Sequence, residues 1–237
     1  MLQPHPFSAL KTIEYAFQKP GLNAPEKVSR CHQVHEALVV SADQQTDEQL
    51  AQTKADALFA STARTLAIQT ADCLPVLMCS QDGKFVAAVH AGWRGLNKGI
   101  LVEALKTFQS RQVEPSTILV AIGPAIGACC FEVGAEVAGE FKKIWGSLLK
   151  EESRFFRRDP AKSENPGRQA KPTTPKSVWL DLKAIATRQL TSHGVPAGNL
   201  QDLGICTYCS ALGFESYRRA THEGRKAGRQ WSWIKKL

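Results

Sequence analysis

Two periods organise the apolar residues of this chain. Short runs of β-branched, aromatic and aliphatic residues bounded by turn formers predict strands over Ala37–Ala42, Thr65–Ile68, Pro75–Cys79, Phe85–His90, Thr117–Ile122, Gly204–Thr207 and Trp231–Ile234. A three-to-four-residue repeat predicts helices between them. Leu96, Ile100, Leu101, Leu105 and Phe108 mark one apolar stripe over about Trp93–Gln109. Val137, Phe141 and Ile144 mark a second over about Val133–Leu149. A third starts at Asp181, an N-cap residue, carries Leu182, Ile185, Ala186 and Leu190, and stops at Gly194. Interleaved strands and helices along the whole length predict an α/β fold, one domain over residues 1–237 in which helices cover a mixed sheet.

The balance of 43% hydrophobic to 22% charged residues is that of a globular chain with a core, which excludes disorder as its main state. The longest apolar run, Ile118 to Phe131, is too short to cross a bilayer and contains Gly123, Pro124 and Gly127, so no membrane span is expected. Neither a basic n-region nor an apolar h-region opens the chain, and a cytoplasmic location is the expectation. The net charge of +8 favours anionic partners. Much of the excess lies in a basic, proline-rich stretch at about 150–178, which reads as a solvated loop inserted into the fold.

Seven cysteines is an odd number for a disulfide framework, and reduced thiols follow. Cys31, Cys79, Cys129 and Cys130 read as small buried hydrophobes. Cys206-Thr207-Tyr208-Cys209 has the spacing of half a zinc ribbon, but no second Cys-x-x-Cys accompanies it, so a four-thiolate site is not expected.

Three segments each place a metal-capable side chain at the edge of a predicted strand: Gln33-Val34-His35, Ala71-Asp72-Cys73-Leu74-Pro75 and His90-Ala91-Gly92-Trp93-Arg94-Gly95. Two imidazoles and a thiolate form a borderline-soft set suited to zinc, and three ligands leave one tetrahedral position open. The same residues can also be packing, since they lack the local spacing of a zinc finger. The glycines beside His90 suit a sharp turn, with Arg94 placed either to meet an oxyanion or to lie in solvent. Arg218, Arg219, Arg225 and Arg229 close the chain as either a basic surface hairpin or a cluster for an anionic substrate. Ile122-Gly123-Pro124-Ala125-Ile126-Gly127 lacks a following Gly-Lys-Ser/Thr, so a nucleoside triphosphatase is not supported.

These segments occur in an order that resembles one family. Gln33-Val34-His35, Ala55-Asp56-Ala57, Thr70-Ala71-Asp72-Cys73-Leu74-Pro75-Val76, Ala88-Val89-His90-Ala91-Gly92-Trp93-Arg94-Gly95-Leu96, Gly123-Pro124-Ala125-Ile126-Gly127 and Ser216-Tyr217-Arg218-Arg219 are similar to motifs of the laccase-domain family. Its members were once described as multicopper polyphenol oxidases and are now associated with zinc-dependent purine nucleoside phosphorylase activity. The resemblance spans about Glu14 to Leu237. It implies an α/β/α-type domain with metal ligands at His35, Cys73 and His90. It further implies phosphorolysis of adenosine, inosine and guanosine, with adenosine deaminase and methylthioadenosine phosphorylase side activities. Zinc is then the expected metal, with copper the alternative, and the partners are purine nucleosides and phosphate. Arg94, Arg218 and Arg229 are candidates for holding the anion, and Asp72 for proton transfer or support of the ligands.

The chain departs from the family pattern near its start and after Gln-Val-His, besides the inserted basic loop. The usual Thr-Arg-x-Gly-Gly opening is missing, and Lys19 could replace its charge but not an arginine's bidentate fork. Glu36 replaces the glycine that normally follows Gln-Val-His. Three rival activities follow from the same residues. A copper polyphenol oxidase ordinarily needs several coppers and more than the six histidines present. An amidase acting on peptidoglycan precursors would use the same metal site. A non-enzymatic nucleic-acid-binding module would use the charge, but no binding motif supports it.

Overall fold

The computed structural model describes residues 5–171 and 177–237. In chain order its strands are β1 (Ile13–Phe17), β2 (Val28–Ser29), β3 (Val39–Ser41), β4 (Ala57–Ala60), β5 (Thr65–Thr70), β6 (Leu74–Ser80), β7 (Val86–Ala91), β8 (Ile118–Ile122), β9 (Glu132–Val133), β10 (Phe156–Arg157), β11 (Val178–Leu180), β12 (Leu200–Asp202) and β13 (Gln230–Lys236). The helices are α1 (Asp47–Gln52), α2 (Trp93–Asn97), α3 (Ile100–Gln109), α4 (Ala135–Trp145), α5 (Glu152–Phe155), α6 (Leu182–Ser192) and α7 (Tyr217–His222). A mixed six-stranded sheet in the order β12-β8-β6-β7-β4-β3 forms the centre, beside a four-stranded sheet β1-β13-β5-β2 and a small sheet β10-β11-β9.

The period-two pattern of the central strands explains the layering. Phe59, Val76, Met78, Ala87, Val89, Val120 and Ile122 face one way and pack with Ile100, Leu101, Leu105 and Phe108 of α3, Phe141 of α4 and Ile185 of α6. Their sequence neighbours Leu58, Leu77, Cys79, Val86, Ala88 and Ala121 face the other way and meet Tyr15, Phe17, Leu66, Ile68 and Ile234. The fold is therefore mixed α/β, as the sequence indicates. Helices cover one face of the central sheet, and the four-stranded sheet covers the other. Trp179, Leu180 and Leu190, beyond the basic stretch, join the same cluster as Val76 and Phe108 before it.

Three local expectations change. The helix expected over Trp93–Gln109 is two helices, because Gly99 adopts φ 87° between them and left-handed backbone cannot continue a right-handed helix. The strand expected at Gly204–Thr207 lies earlier, at Leu200–Asp202. Gly204 with φ 69° turns the chain out of the sheet, and only Cys206 makes an isolated bridge, to Ala125. The basic stretch read as a solvated loop holds α5 and β10, and Phe155, Phe156, Ser163 and Ala170 are buried in it. Its segment 172–176 lies outside the described residues. The expected helix after Asp181 is present, with the Asp181 carboxylate accepting from the Ala184 N–H and Gly194 at φ 97° just past its end.

Candidate active site

β6 and β7 pair antiparallel with Leu74 opposite Ala91 and Pro75 opposite His90, which brings Cys73 and His90 to the same end of the sheet. His35 arrives from the loop before β3. The ligand-capable atoms of His35, Cys73 and His90 all lie within 4.8 Å of one another. Cys73 Sγ is 3.8 Å from His35 Nε2, and the two imidazoles meet edge to face with centroids 4.9 Å apart. The donors grade from the buried His90 through the half-buried Cys73 to the exposed His35, so the group opens to one side.

Glycine makes this approach possible. A Cβ on Gly92 would lie 2.9 Å from His35 Cδ2 and 3.1 Å from Cys73 Sγ. A Cβ on Gly95 would lie 2.9 Å from the Glu36 carbonyl oxygen, so α2 can seat directly on the His35 turn. His35 itself takes φ 61°, an uncommon conformation for a residue with a side chain. The turn compensates by aiming three successive N–H groups at one carboxylate. Val34, His35 and Glu36 donate to Asp56 at 3.2, 2.9 and 2.7 Å.

Asp56 also accepts from His90 Nδ1 at 2.8 Å, while its own carbonyl oxygen accepts the His90 N–H at 2.7 Å. One fully buried carboxylate thus fixes the loop that carries His35 and the ring of His90, leaving Nε2 of His90 as the free nitrogen. Burial disfavours the Asp56 carboxylate, but the His90 imidazole and the converging N–H groups outweigh it and hold the acid below its ordinary range. Burial likewise opposes the charged forms of Cys73 and His90. The two imidazoles nonetheless bring the thiol down to about 6, and Asp56 and Cys73 push His90 up to about 9. Cys73 is thereby disposed towards thiolate, the form that binds a metal. The chemistry of the donor set fits a borderline-soft divalent ion such as zinc. Asp56, within the Ala55-Asp56-Ala57 motif just before β4, received no role from the sequence, and its place in that motif was the available signal.

These donors sit in a cavity of about 540 Å³ that is also lined by Trp93, Arg94, Phe131, Tyr217, Arg218 and Arg229, the size of site that holds a small organic ligand. Arg94 is exposed and lies over the Trp93 ring at 4.4 Å. Arg218 is half-buried, donating to the Glu132 carbonyl oxygen at 2.9 Å with its guanidinium 5.6 Å from the Phe131 ring centre. Arg229 is exposed and donates to the Gly228 carbonyl oxygen at 2.8 Å. All three candidate arginines therefore border one cavity, while Arg219 turns away to bind the carbonyl oxygens of Thr207, Tyr208 and Phe214. Lys19 is exposed and does not line the cavity, so it does not supply the charge of the arginine missing from the N-terminal motif. Glu36 points outward to Lys98, 2.5 Å away, and the positive φ of the turn belongs to its neighbour His35, so the replaced glycine is not required.

Asp72 borders the same cavity at φ 87°. Its Oδ1 accepts from Thr207 Oγ1 at 2.6 Å and its Oδ2 from the Arg218 N–H at 2.7 Å. Burial raises its pKa despite those donors. Both oxygens are engaged, Oδ2 in anchoring the α7 residue Arg218 and Oδ1 in holding Thr207.

A family model described as multi-copper polyphenol oxidoreductase laccase matches residues 11–236. The chain belongs to this family. It is 37% identical over 212 residues to a Shigella flexneri protein named purine nucleoside phosphorylase YfiH, covering 88% of this chain and 75% of that one. A purine nucleoside phosphorylase of Pseudomonas aeruginosa is 39% identical over 200 residues, covering 84% and 72%. Among solved structures, Bacillus licheniformis hypothetical protein YfiH superposes with a TM-score of 0.72 at 27% identity, covering 89% of this chain and 74% of that one. Neisseria meningitidis protein NMB0706 gives 0.68 at 34%, covering 88% and 74%. Among the described residues, no helix is long and apolar enough to cross a membrane.

Proposed function

We propose that this chain is a metal-dependent purine nucleoside phosphorylase that converts adenosine, inosine and guanosine with phosphate into the free base and ribose 1-phosphate. The observation that carries this reading is the convergence of His35, Cys73 and His90 in a cavity bordered by three arginines. The names of the relatives supply the reaction class. His35, Cys73 and His90 would hold zinc, which when bound supplies Lewis-acid polarisation of an oxygen of phosphate or sugar.

In phosphorolysis a phosphate oxygen forms a bond to C1′ as the C1′–N9 bond to the purine breaks. The anionic nucleophile has to be concentrated and oriented, and the site offers Arg94, Arg218 and Arg229 for that task. Arg218 is the best positioned, because the Glu132 carbonyl and Phe131 ring fix its guanidinium before substrate arrives. Asp72 acts on the reaction through Arg218 by anchoring its backbone N–H, as a positioning residue. Trp93, Phe131 and Tyr217 supply flat apolar surface for a purine ring. Asp56 holds His90 in one tautomer and one orientation. The adenosine deaminase and methylthioadenosine phosphorylase side activities would use the same pocket.

Incubation of zinc-replete protein with adenosine and phosphate tests the reading, with products separated by chromatography. Adenine and ribose 1-phosphate are expected, dependent on phosphate, and lost in Cys73→Ala. Ammonia and inosine formed without phosphate would report the deaminase activity. Unaltered turnover by Cys73→Ala refutes the site, and oxidation of a phenol in place of phosphorolysis refutes the reaction. The donor set argues against that oxidase. Among the described residues, only one metal-capable group contains histidine, and it holds two of the chain's six.

A further inference from the structure

The Cys206-x-x-Cys209 half-ribbon finds its complement in a place its spacing did not suggest. Cys129 and Cys130, adjacent in sequence, lie against it, and the sulfur atoms of Cys129, Cys130, Cys206 and Cys209 are all within 4.8 Å of one another. All four side chains are buried, and all are free thiols. We propose that these four cysteines form a second metal site, a closed tetrathiolate site for one zinc ion, with a structural role separate from that of the His35, Cys73 and His90 group.

The geometry is that of two facing knuckles. In one, the Cys130 and Phe131 N–H groups both donate to the Gly127 carbonyl oxygen, at 2.9 and 2.8 Å. In the other, the Ser210 N–H donates to the Cys206 carbonyl oxygen at 3.0 Å. A parallel bridge between Ala125 and Cys206 sets their register, with the Thr207 N–H donating to the Ala125 carbonyl oxygen at 3.0 Å. Zinc–sulfur bonds of about 2.3 Å in a tetrahedron require sulfurs about 3.8 Å apart. Cys129 Sγ and Cys209 Sγ stand 3.7 Å apart. The Gly127 N–H donates to Cys206 Sγ at 3.3 Å, a bond that stabilises negative charge on sulfur. A side chain on Gly127 would crowd the group, since its Cβ would lie 3.3 Å from Cys129 Sγ and 3.4 Å from Cys206 Cβ.

The basic stretch supplies the cover. The Ala161 N–H donates to the Ala128 carbonyl oxygen at 3.2 Å, and Gln169 Nε2 to that of Cys129 at 3.1 Å. Four protein thiolates leave no ligand position for substrate, which fits structure rather than catalysis. The knuckle also reaches the substrate cavity. Thr207, between the two cysteines of the half-ribbon, donates to Asp72, which in turn accepts the Arg218 N–H. A metal at the knuckles would therefore brace the arginine that faces the cavity.

Elemental analysis separates this site from the first. The full-length chain, equilibrated with zinc and desalted, is expected to carry about two zinc ions, and Cys73→Ala about one, because a closed thiolate site binds independently of the open one. Cobalt(II) added to metal-stripped Cys73→Ala should give the strong thiolate-to-cobalt charge-transfer and visible bands of a tetrahedral sulfur site, displaced by added zinc. The double variant C206S/C209S should lose that signal while the His35, Cys73 and His90 group still takes its zinc. If that variant does not fold, the cobalt spectrum of Cys73→Ala decides alone. Cys73→Ala with neither zinc nor a cobalt–thiolate spectrum overturns the proposal. So does a disulfide among these four cysteines in protein kept under reductant, or the broad absorption of an iron–sulfur cluster. None of these readouts depends on phosphorolysis.

Discussion

Gly92→Ala isolates the placement of the His35, Cys73 and His90 donors from everything else in the fold. Gly92 has φ −65° and ψ 162°, which alanine adopts freely, so the backbone is not strained. The added methyl meets His35 Cδ2 at 2.9 Å and Cys73 Sγ at 3.1 Å, against an ordinary carbon contact of about 3.5–4.0 Å. The ring must retreat by about 0.6 Å or more, beyond the roughly 0.5 Å that a working site tolerates. His35 is exposed and can swing outward, so the fold loses only about 1 kcal/mol to crowding. A weaker helix N-cap adds a few tenths of a kcal/mol at the start of α2. Zinc affinity at this group should fall about 10–100-fold, measured by competition with a chromophoric chelator, and phosphorolysis at limiting zinc should fall with it. Gly139→Ala is the control. Gly139 lies within α4 with nothing within 4 Å of its Cβ position, so alanine there should raise stability by up to about 1 kcal/mol without touching zinc binding. A Gly92→Ala protein that binds zinc and turns over like the parent would show that the three donors do not act together on a metal.

Further substitutions test the supports around the donors. Asp56→Asn keeps the size of the side chain but replaces one carboxylate oxygen with a donor that faces N–H groups, and about 10–100-fold weaker zinc binding is expected by the same competition assay. Arg218→Lys keeps the charge but not the planar fork that reaches the Glu132 carbonyl, so KM for phosphate should rise several-fold in steady-state assays while zinc content stays unchanged. Asp43 accepts from the backbone N–H and hydroxyl of both Ser61 and Thr62. Partial burial opposes its charge, but those donors outweigh it and hold its pKa below the ordinary value of 3.8. Its contribution is thus complete above that value and is lost as pH falls through the lower folded one. Asp43→Asn should lower stability by about 1 kcal/mol at neutral pH, and the gap in Tm between parent and variant should close on acidification below pH 4.

Much of this arrangement is legible in the sequence where a local rule dominates. The central strands are apolar at nearly every position because both faces are covered, and they read as uninterrupted runs at Leu74–Cys79 and Val86–Val89. Their faces separate only once a partner is known, which is why the covering four-stranded sheet was not foreseen. β1 and β13 are at opposite ends of the chain, and the pairing of Tyr15 with Ile234 has no local signature. The break at Gly99 shows the limit of apolar periodicity. Leu96 and Ile100 continue one stripe across a point where the backbone turns left-handed.

The same division holds for the chemistry. His35, Cys73 and His90 are metal-capable by residue type and lie beside glycines, but it is the family resemblance that singles them out from packing. The role of Asp56 is not legible in that way, because it depends on four donors brought to it by two separate segments. The cysteines at 129, 130, 206 and 209 show the cost of reading metal sites by spacing alone. A ribbon needs two knuckles, but each knuckle needs only a tight turn with two sulfurs on one side, and an adjacent pair after Gly127 satisfies that as well as a Cys-x-x-Cys. The parallel bridge from Ala125 to Cys206 is what makes the two turns face each other, and that pairing spans most of the second half of the chain. Sequence supplied the donors; only the parallel pairing of β8 with β12, continued past both strands in the Ala125–Cys206 bridge, brings them together.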